Sequence, residues 1–146
     1  MASLKGRDIL ILGGDWNGET GKSIMMQDSP IGRWGGGMQN ENGKLMVQEC
    51  ELEQWFLPAT FVNRPFRKKW THTGNFMVKK GSKSRRNREI DHFMCSNNLK
   101  GHVEDVMDCR NTRHDSDHCL RLARIRFKNI GLKLTRKSKP VTSALR

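Results

Sequence analysis

The chain opens its apolar pattern with a continuous run, Ile9-Leu-Ile-Leu12, that stops at Gly13-Gly14. A run without alternation predicts a strand over 8–12 buried on both faces, and the glycine pair predicts a sharp turn at a sheet edge. Over 18–43 no period survives: Gly, Asn, Ser and Met dominate, with Gly35-Gly36-Gly37 among them, and a long surface loop at a rim is expected. Asn40 then supplies an N-cap for a helix to about Gln54, on which Leu45, Met46, Leu52 and Phe56 fall within one broad apolar face before Pro58 ends it.

Beyond the helix, short extended segments recur at 59–62, 70–73, 89–95, 102–107 and 120–127, several of them flanked by Asn, Gly or Lys clusters, which predicts a mostly antiparallel sheet. Between two of them runs Lys79-Lys-Gly-Ser-Lys-Ser-Arg-Arg-Asn-Arg88, a cationic stretch without an apolar anchor, read as a mobile loop. After Phe127 the charge continues through Lys128, Lys133, Arg136, Lys137 and Lys139 with neither period nor acid, so a folded part at 1–127 and a disordered basic tail at 128–146 are expected.

Composition sharpens this picture. A chain of 146 residues is the size of one ordinary domain. Its 27 Lys+Arg against 15 Asp+Glu give a formal charge of +12, which favours a polyanionic partner through phosphate neutralisation and counterion release. Cys50, Cys95, Cys109 and Cys119 form no C-x-x-C pair and follow no signal-like opening, so a reduced, intracellular chain is read. No apolar run approaches the roughly 20 residues that span a bilayer, which argues against insertion.

Three short motifs carry candidate chemistry. In Gly14-Asp15-Trp16-Asn17, alternation puts Asp15 and Asn17 on one side of the chain at a strand end. A carboxylate can orient an attacking water there and an amide can donate to phosphoryl oxygens; an Asx turn is the bland alternative. In Ser116-Asp117-His118, the imidazole suits a phosphoryl oxygen and the carboxylate suits a divalent cation, against an ordinary turn with an exposed histidine. Within Arg88-Glu-Ile-Asp91-His-Phe93, Asp91 stands mid-strand and needs a partner: either His118, whose tautomer it would fix, or an ion pair with Arg88 or Arg113.

The order of Gly14-Asp15-Trp16-Asn17, Lys69-Trp70-Thr71, Ile90-Asp91-His92 and Ser116-Asp117-His118 resembles the later half of the endonuclease/exonuclease/phosphatase superfamily domain. It is most similar to the apurinic-type endonuclease domains of non-LTR retrotransposons and the craniofacial-development-protein-like sequences related to them, with Asn40-Glu-Asn-Gly43 and Arg67-Lys-Lys-Trp70-Thr71 adding to the likeness over 8–127.

The resemblance implies a four-layer αββα sandwich and Mg²⁺-dependent hydrolysis of DNA, with Mn²⁺ as a substitute. Asp15 would orient water, Asn17 and His118 would hold the phosphate, Asp91 would hold His118, Asp117 would assist the metal and Trp70 would shape the site. Arg67, Lys69 and Arg86 join Trp70 as the expected DNA contacts. Trp16, His72 and His92 depart from the usual Phe, a second aromatic and Tyr. The family also places an Asn-bearing strand and a metal-ligating Glu ahead of this point, where only residues 1–7 stand here. A truncated or degenerate copy of low or no activity is therefore expected, with weak metal binding and open sheet edges prone to self-association.

Two further readings fail on spacing: Trp16 stands where a P-loop before Gly21-Lys22-Ser23 needs glycine, and the Cys and His positions match no zinc finger or ribbon. Two rivals remain open. A non-catalytic nucleic-acid binder would use Arg64, Arg67, Lys68, Lys69 and the cationic stretch, and a phosphoesterase would act on a small phosphorylated ligand. Nuclear residence is expected from the basic tail and the DNA partner.

Overall fold

The computed structural model describes residues 8–24, 28–78, 82–109 and 116–127, with only the backbone described over 75–78 and 82–86. The expected tail at 128–146 and Arg113 lie outside the described residues. Within them the chain is mixed α/β: one α-helix, α1 (Glu41–Leu52), and seven strands, β1 (Ile11–Asp15), β2 (Trp55–Phe56), β3 (His72–Val78), β4 (Ser82–Arg88), β5 (Asp91–Ser96), β6 (Val103–Cys109) and β7 (Leu120–Ile125). All the pairings between these strands are antiparallel, in three small sheets ordered β1-β5-β2, β3-β4 and β6-β7.

The central sheet has a different apolar surface on each face. Leu12 and Met94, directly paired, pack with Met46, Cys50, Leu57 and Ile31 under α1. On the other face Phe93 and Cys95 pack with Phe56, Leu99, Val103 and Ile125, which brings the β6-β7 hairpin against the sheet. This split follows from strand alternation: neighbours in sequence point to opposite faces, so β5 contributes to two cores at once.

Several expectations are corrected. The strand at 8–12 is not buried on both faces: β1 runs on through Gly13-Gly14 to Asp15, lies at a sheet edge and is largely exposed, Ile11 among its exposed residues. Gly13 serves packing instead of turning, since a Cβ there would stand 2.9 Å from the Phe93 ring. The helix has its expected Asn40 cap, with the Gly43 amide donating to Asn40 Oδ1 (2.8 Å), but a different inward stripe. Gly43, Met46 and Cys50 face the core while Leu45 and Leu52 are exposed. Gly43 selects that face, because a Cβ there would fall 1.9 Å from the Glu19 carbonyl oxygen.

The stretch 18–43 is no rim loop throughout: Glu19, Thr20 and Ile31 are buried where the chain folds back onto α1 and Thr60. The segment 59–62 holds a one-turn 3-10 helix at Pro58–Thr60 instead of a strand. The cationic stretch is largely β4, paired residue for residue with β3, because main-chain hydrogen bonds pair a strand that has no apolar residue of its own; only 79–81 of it lie outside the described residues. The expected mixed α/β chain with antiparallel sheets is what the described residues form; they do not by themselves show a four-layer sandwich.

Candidate active site

The site begins at the end of the β1-β5 ladder. Its last pair sets Asp15 directly opposite Asp91, and the Trp16 amide donating to the Ile90 carbonyl (3.0 Å) makes this a non-hydrogen-bonded pair, the kind whose side chains stand closest. Two carboxylates in that position repel one another unless another group lies between them. His118 lies there: its Nδ1 is 3.0 Å from Asp91 Oδ2 and its Nε2 is 3.9 Å from Asp15 Oδ2. A carboxylate accepts, so Nδ1 carries the hydrogen and Nε2 is left facing outward. Of the open alternatives for Asp91 the structure takes His118, while Arg88 turns to Glu19 (3.5 Å).

His118 is delivered by a short ladder between 71–73 and 117–119. The Thr73 amide donates to the Asp117 carbonyl (2.9 Å) and the Cys119 amide to the Thr71 carbonyl (2.6 Å), which sets His72 directly across from His118. This too is a close, non-hydrogen-bonded pair, so the two rings lie 4.8 Å apart between centroids and tilted by 55°. His72 Nε2 in turn lies 3.1 Å from Asp117 Oδ2. The sequence reading gave His72 no part in the site; alternation with Trp70 was the one available signal, and the cross-strand partner 45 residues later was invisible.

Thr71 and Arg121 hold the frame. Fully buried, Thr71 accepts at Oγ1 from the amides of Ile90 (3.1 Å) and Asp91 (3.0 Å), and its own amide donates to the Arg88 carbonyl (2.8 Å). Arg121 donates from Nη1 to the Asp91 carbonyl (2.8 Å) and from Nη2 to the Lys69 carbonyl (2.6 Å) and Glu89 Oε1 (2.8 Å). Both residues therefore fix the backbone on which Asp91 stands. Thr71 stood in the sequence only as the end of Lys69-Trp70-Thr71, without a role, and Arg121 was not singled out, because a buried arginine in a basic chain looks like any other cation.

Asn17 is exposed, with a left-handed backbone (φ 50°), and its amide donates to Asp15 Oδ1 (2.9 Å). The Asx turn and the carboxylate site thus coexist in one motif. The turn is clamped from α1: Asn40 Nδ2 donates to the Asn17 carbonyl (2.9 Å), and Asn40 Oδ1 also accepts from the Glu19 amide (3.0 Å). His92 is buried and neutral, its pKa lowered by burial, and holds the next turn by donating from Nε2 to the Gly18 carbonyl (2.8 Å).

The cleft beside these groups has a volume of about 600 Å³ and is lined by Gly13, Asp15, Asp91, Phe93, His118 and Leu120 among others. The structure does not bring Lys69 to it. That side chain is 2% exposed, its ammonium donating to the carbonyls of Ala59 (2.7 Å) and Trp34, and burial lowers its pKa. Arg64 is likewise committed, its guanidinium making a two-pronged pair with Asp105. Trp70 is half-buried, Arg67 and Lys68 are exposed, and the Arg86 side chain lies outside the described residues.

Two groups of side chains could hold a cation: Asp15, Asp91 and His118, and His72, Asp117 and His118. Mg²⁺ is held by one or two carboxylates with waters and substrate phosphates, and Asp15 and Asp117 offer such oxygens. No described helix is long and apolar enough to cross a membrane, and Cys50, Cys95, Cys109 and Cys119 are all free thiols.

The chain is similar to craniofacial development protein 2 of Bos taurus, 29% identical over 123 residues that cover 83% of this chain and 19% of the relative. It is equally similar to craniofacial development protein 2 of Tragulus javanicus, 29% identical over 123 residues covering 83% of this chain and 20% of the relative. The chain spans about a fifth of the length of these curated relatives. No family model matches it, and no solved structure matches it significantly.

Proposed function

We propose that this chain carries the phosphate-handling part of a metal-assisted phosphodiesterase site of the endonuclease/exonuclease/phosphatase kind, with DNA as its substrate. The observation that carries the reading is His118 held by Asp91 on one ring nitrogen and facing Asp15 on the other, at the wall of an open cleft. A surface that only binds phosphates has no use for a carboxylate-oriented imidazole beside a second carboxylate. The likeness to craniofacial development protein 2, together with the four motifs in order, adds weight to the family.

In this reading Asp15 orients the attacking water in line with the scissile bond, and the Asn17 side-chain amide and, once it carries a proton, His118 Nε2 donate to the phosphoryl oxygens as charge builds on them. Asp91 keeps His118 in one tautomer and one orientation. Mg²⁺ or Mn²⁺, when bound by Asp117 with waters and the substrate phosphate, would supply polarisation of the phosphate and neutralise charge. With one exposed carboxylate as its oxygen donor from the chain, the ion would be held weakly and turnover would be slow.

The test is nicking of supercoiled plasmid by the purified chain across Mg²⁺ and Mn²⁺ up to millimolar concentration, beside His118→Ala. Slow nicking is expected, lost with EDTA and in the variant, while the variant still binds DNA. Salt-sensitive binding with no nicking at any metal concentration, and no change in His118→Ala, would replace this reading with a non-catalytic binder. A small phosphate ester that displaces DNA would move the substrate class instead.

A further inference from the structure

We infer that His72, His118 and Asp117 form a binding site for a transition-metal ion of borderline softness, Zn²⁺ or Co²⁺ in chemical class, distinct in its ligand preference from the oxygen-seeking ion of the proposed hydrolysis. The inference concerns binding and does not rest on that hydrolysis. The ligand atoms of the three residues lie within 4.8 Å of one another. Two atoms that each stand about 2.0–2.2 Å from one ion are separated by about 3–3.5 Å, and His72 Nε2 and Asp117 Oδ2 already stand 3.1 Å apart.

The second observation lies behind the ligands. A histidine that binds a metal through one nitrogen typically donates from the other to a carboxylate, which fixes the ring and raises its basicity. His118 has that arrangement, with Nδ1 on Asp91 Oδ2, Nε2 free of that bond, and its ring 4.8 Å from the His72 ring between centroids. Asp15 Oδ2, 3.9 Å from His118 Nε2, adds negative charge nearby. Among the described residues no lysine or arginine forms an ion pair with Asp15, Asp91 or Asp117, so a cation is what this group of carboxylates calls for.

The donor set decides which cation. Two imidazoles and a carboxylate favour zinc and its neighbours over Mg²⁺, which requires a near-octahedral shell of oxygens. The placement of these ligands also explains why no zinc spacing is visible along the chain. They converge because β3 pairs with the segment before β7, so the separation between His72 and Asp117 follows strand pairing and not a local motif.

The test is a Co²⁺ titration of the full chain followed by visible d–d absorption, with Zn²⁺ as competitor. One equivalent of Co²⁺ in a low-symmetry site is expected, displaced by Zn²⁺, with affinity reduced about tenfold or more in His72→Phe and Asp117→Asn and unchanged in His102→Ala. Equal binding in His72→Phe and the wild type, or no binding below millimolar metal, would overturn the inference. Should either variant fail to fold, Zn²⁺ titration of the wild-type chain by NMR decides the matter. The ring signals of His72 and His118 must shift together, and shifts at other histidines alone would reject the site. A His72→Phe chain that loses Co²⁺ but still nicks with Mn²⁺ would support this site while leaving the hydrolytic reading intact.

Discussion

The mouth of the cleft and the basic run at 64–69 put opposite charges to opposite uses. At the cleft, Asp15 and Asp91 flank His118, and Asp117 stands with His72 beside that histidine; Asp15 and Asp117 are exposed and Asp91 is half-buried. In the basic run, two of four cations are turned inward: Lys69 onto backbone carbonyls and Arg64 onto Asp105, leaving Arg67 and Lys68 outside. A buried charge must be matched by hydrogen bonds or an opposite charge, so the fold consumes it. An exposed cluster of like charges is a standing cost unless a ligand relieves it. By that measure the acidic cluster reads as site and half of the basic run reads as scaffold.

The largest expected effect comes from cutting the link between Asp91 and His118. Asp91→Asn keeps the shape but lets the imidazole take the wrong tautomer, so the nicking rate should fall about 10²–10⁴-fold, with DNA affinity and melting temperature close to wild type. Plasmid nicking read beside a binding isotherm checks this. A loss of affinity equal to the loss of rate would mean that Asp91 acts on DNA binding, and the contrast between the two regions would collapse.

Next in size is Lys69→Met. It leaves the carbonyls of Ala59 and Trp34 without their donor, at a cost of about 1–3 kcal/mol, while DNA affinity of the folded protein stays unchanged. The same residue gives a pH signature. Burial holds its folded pKa below the usual 10.5, so the unfolded chain binds the proton more readily. Wild-type stability should therefore gain from this group as pH rises from the lowered value toward 10.5, and the variant should lose that gain. Denaturant melts across alkaline pH read both effects.

How much of this was legible in the sequence depended on range. The Asn40 cap, the Gly14-Asp15-Trp16-Asn17 turn and the strands at 91–96, 103–109 and 120–125 rest on local pattern, and the sequence carries them to within a few residues. The pairing of Asp91 with His118 was open in the sequence and settled only by the fold. The roles of His72, Thr71 and Arg121 were out of reach, because each acts through a partner 20 or more residues away that no spacing rule encodes. The apolar run before Gly13 misled for a physical reason: four apolar residues look alike on a central strand and on an edge strand whose faces are only partly covered.

The smallest effects separate two arginines only three residues apart in the chain. Arg67 is exposed, so if it meets a phosphate Arg67→Ala should lower the salt dependence of DNA binding by about one ion and weaken affinity uniformly across sequences. Arg64→Ala should leave that slope unchanged and act on stability instead. Its guanidinium holds the Asp105 carboxyl below the usual value of 3.8, so the pair stabilises the fold above that pH and the contribution is lost as pH falls through the lowered folded value. Acid denaturation of the wild type should show that limb and Arg64→Ala should flatten it. An equal change in salt slope for both arginines would mean that Arg64 leaves Asp105 to meet DNA, and the basic run would then be a binding surface along its whole length.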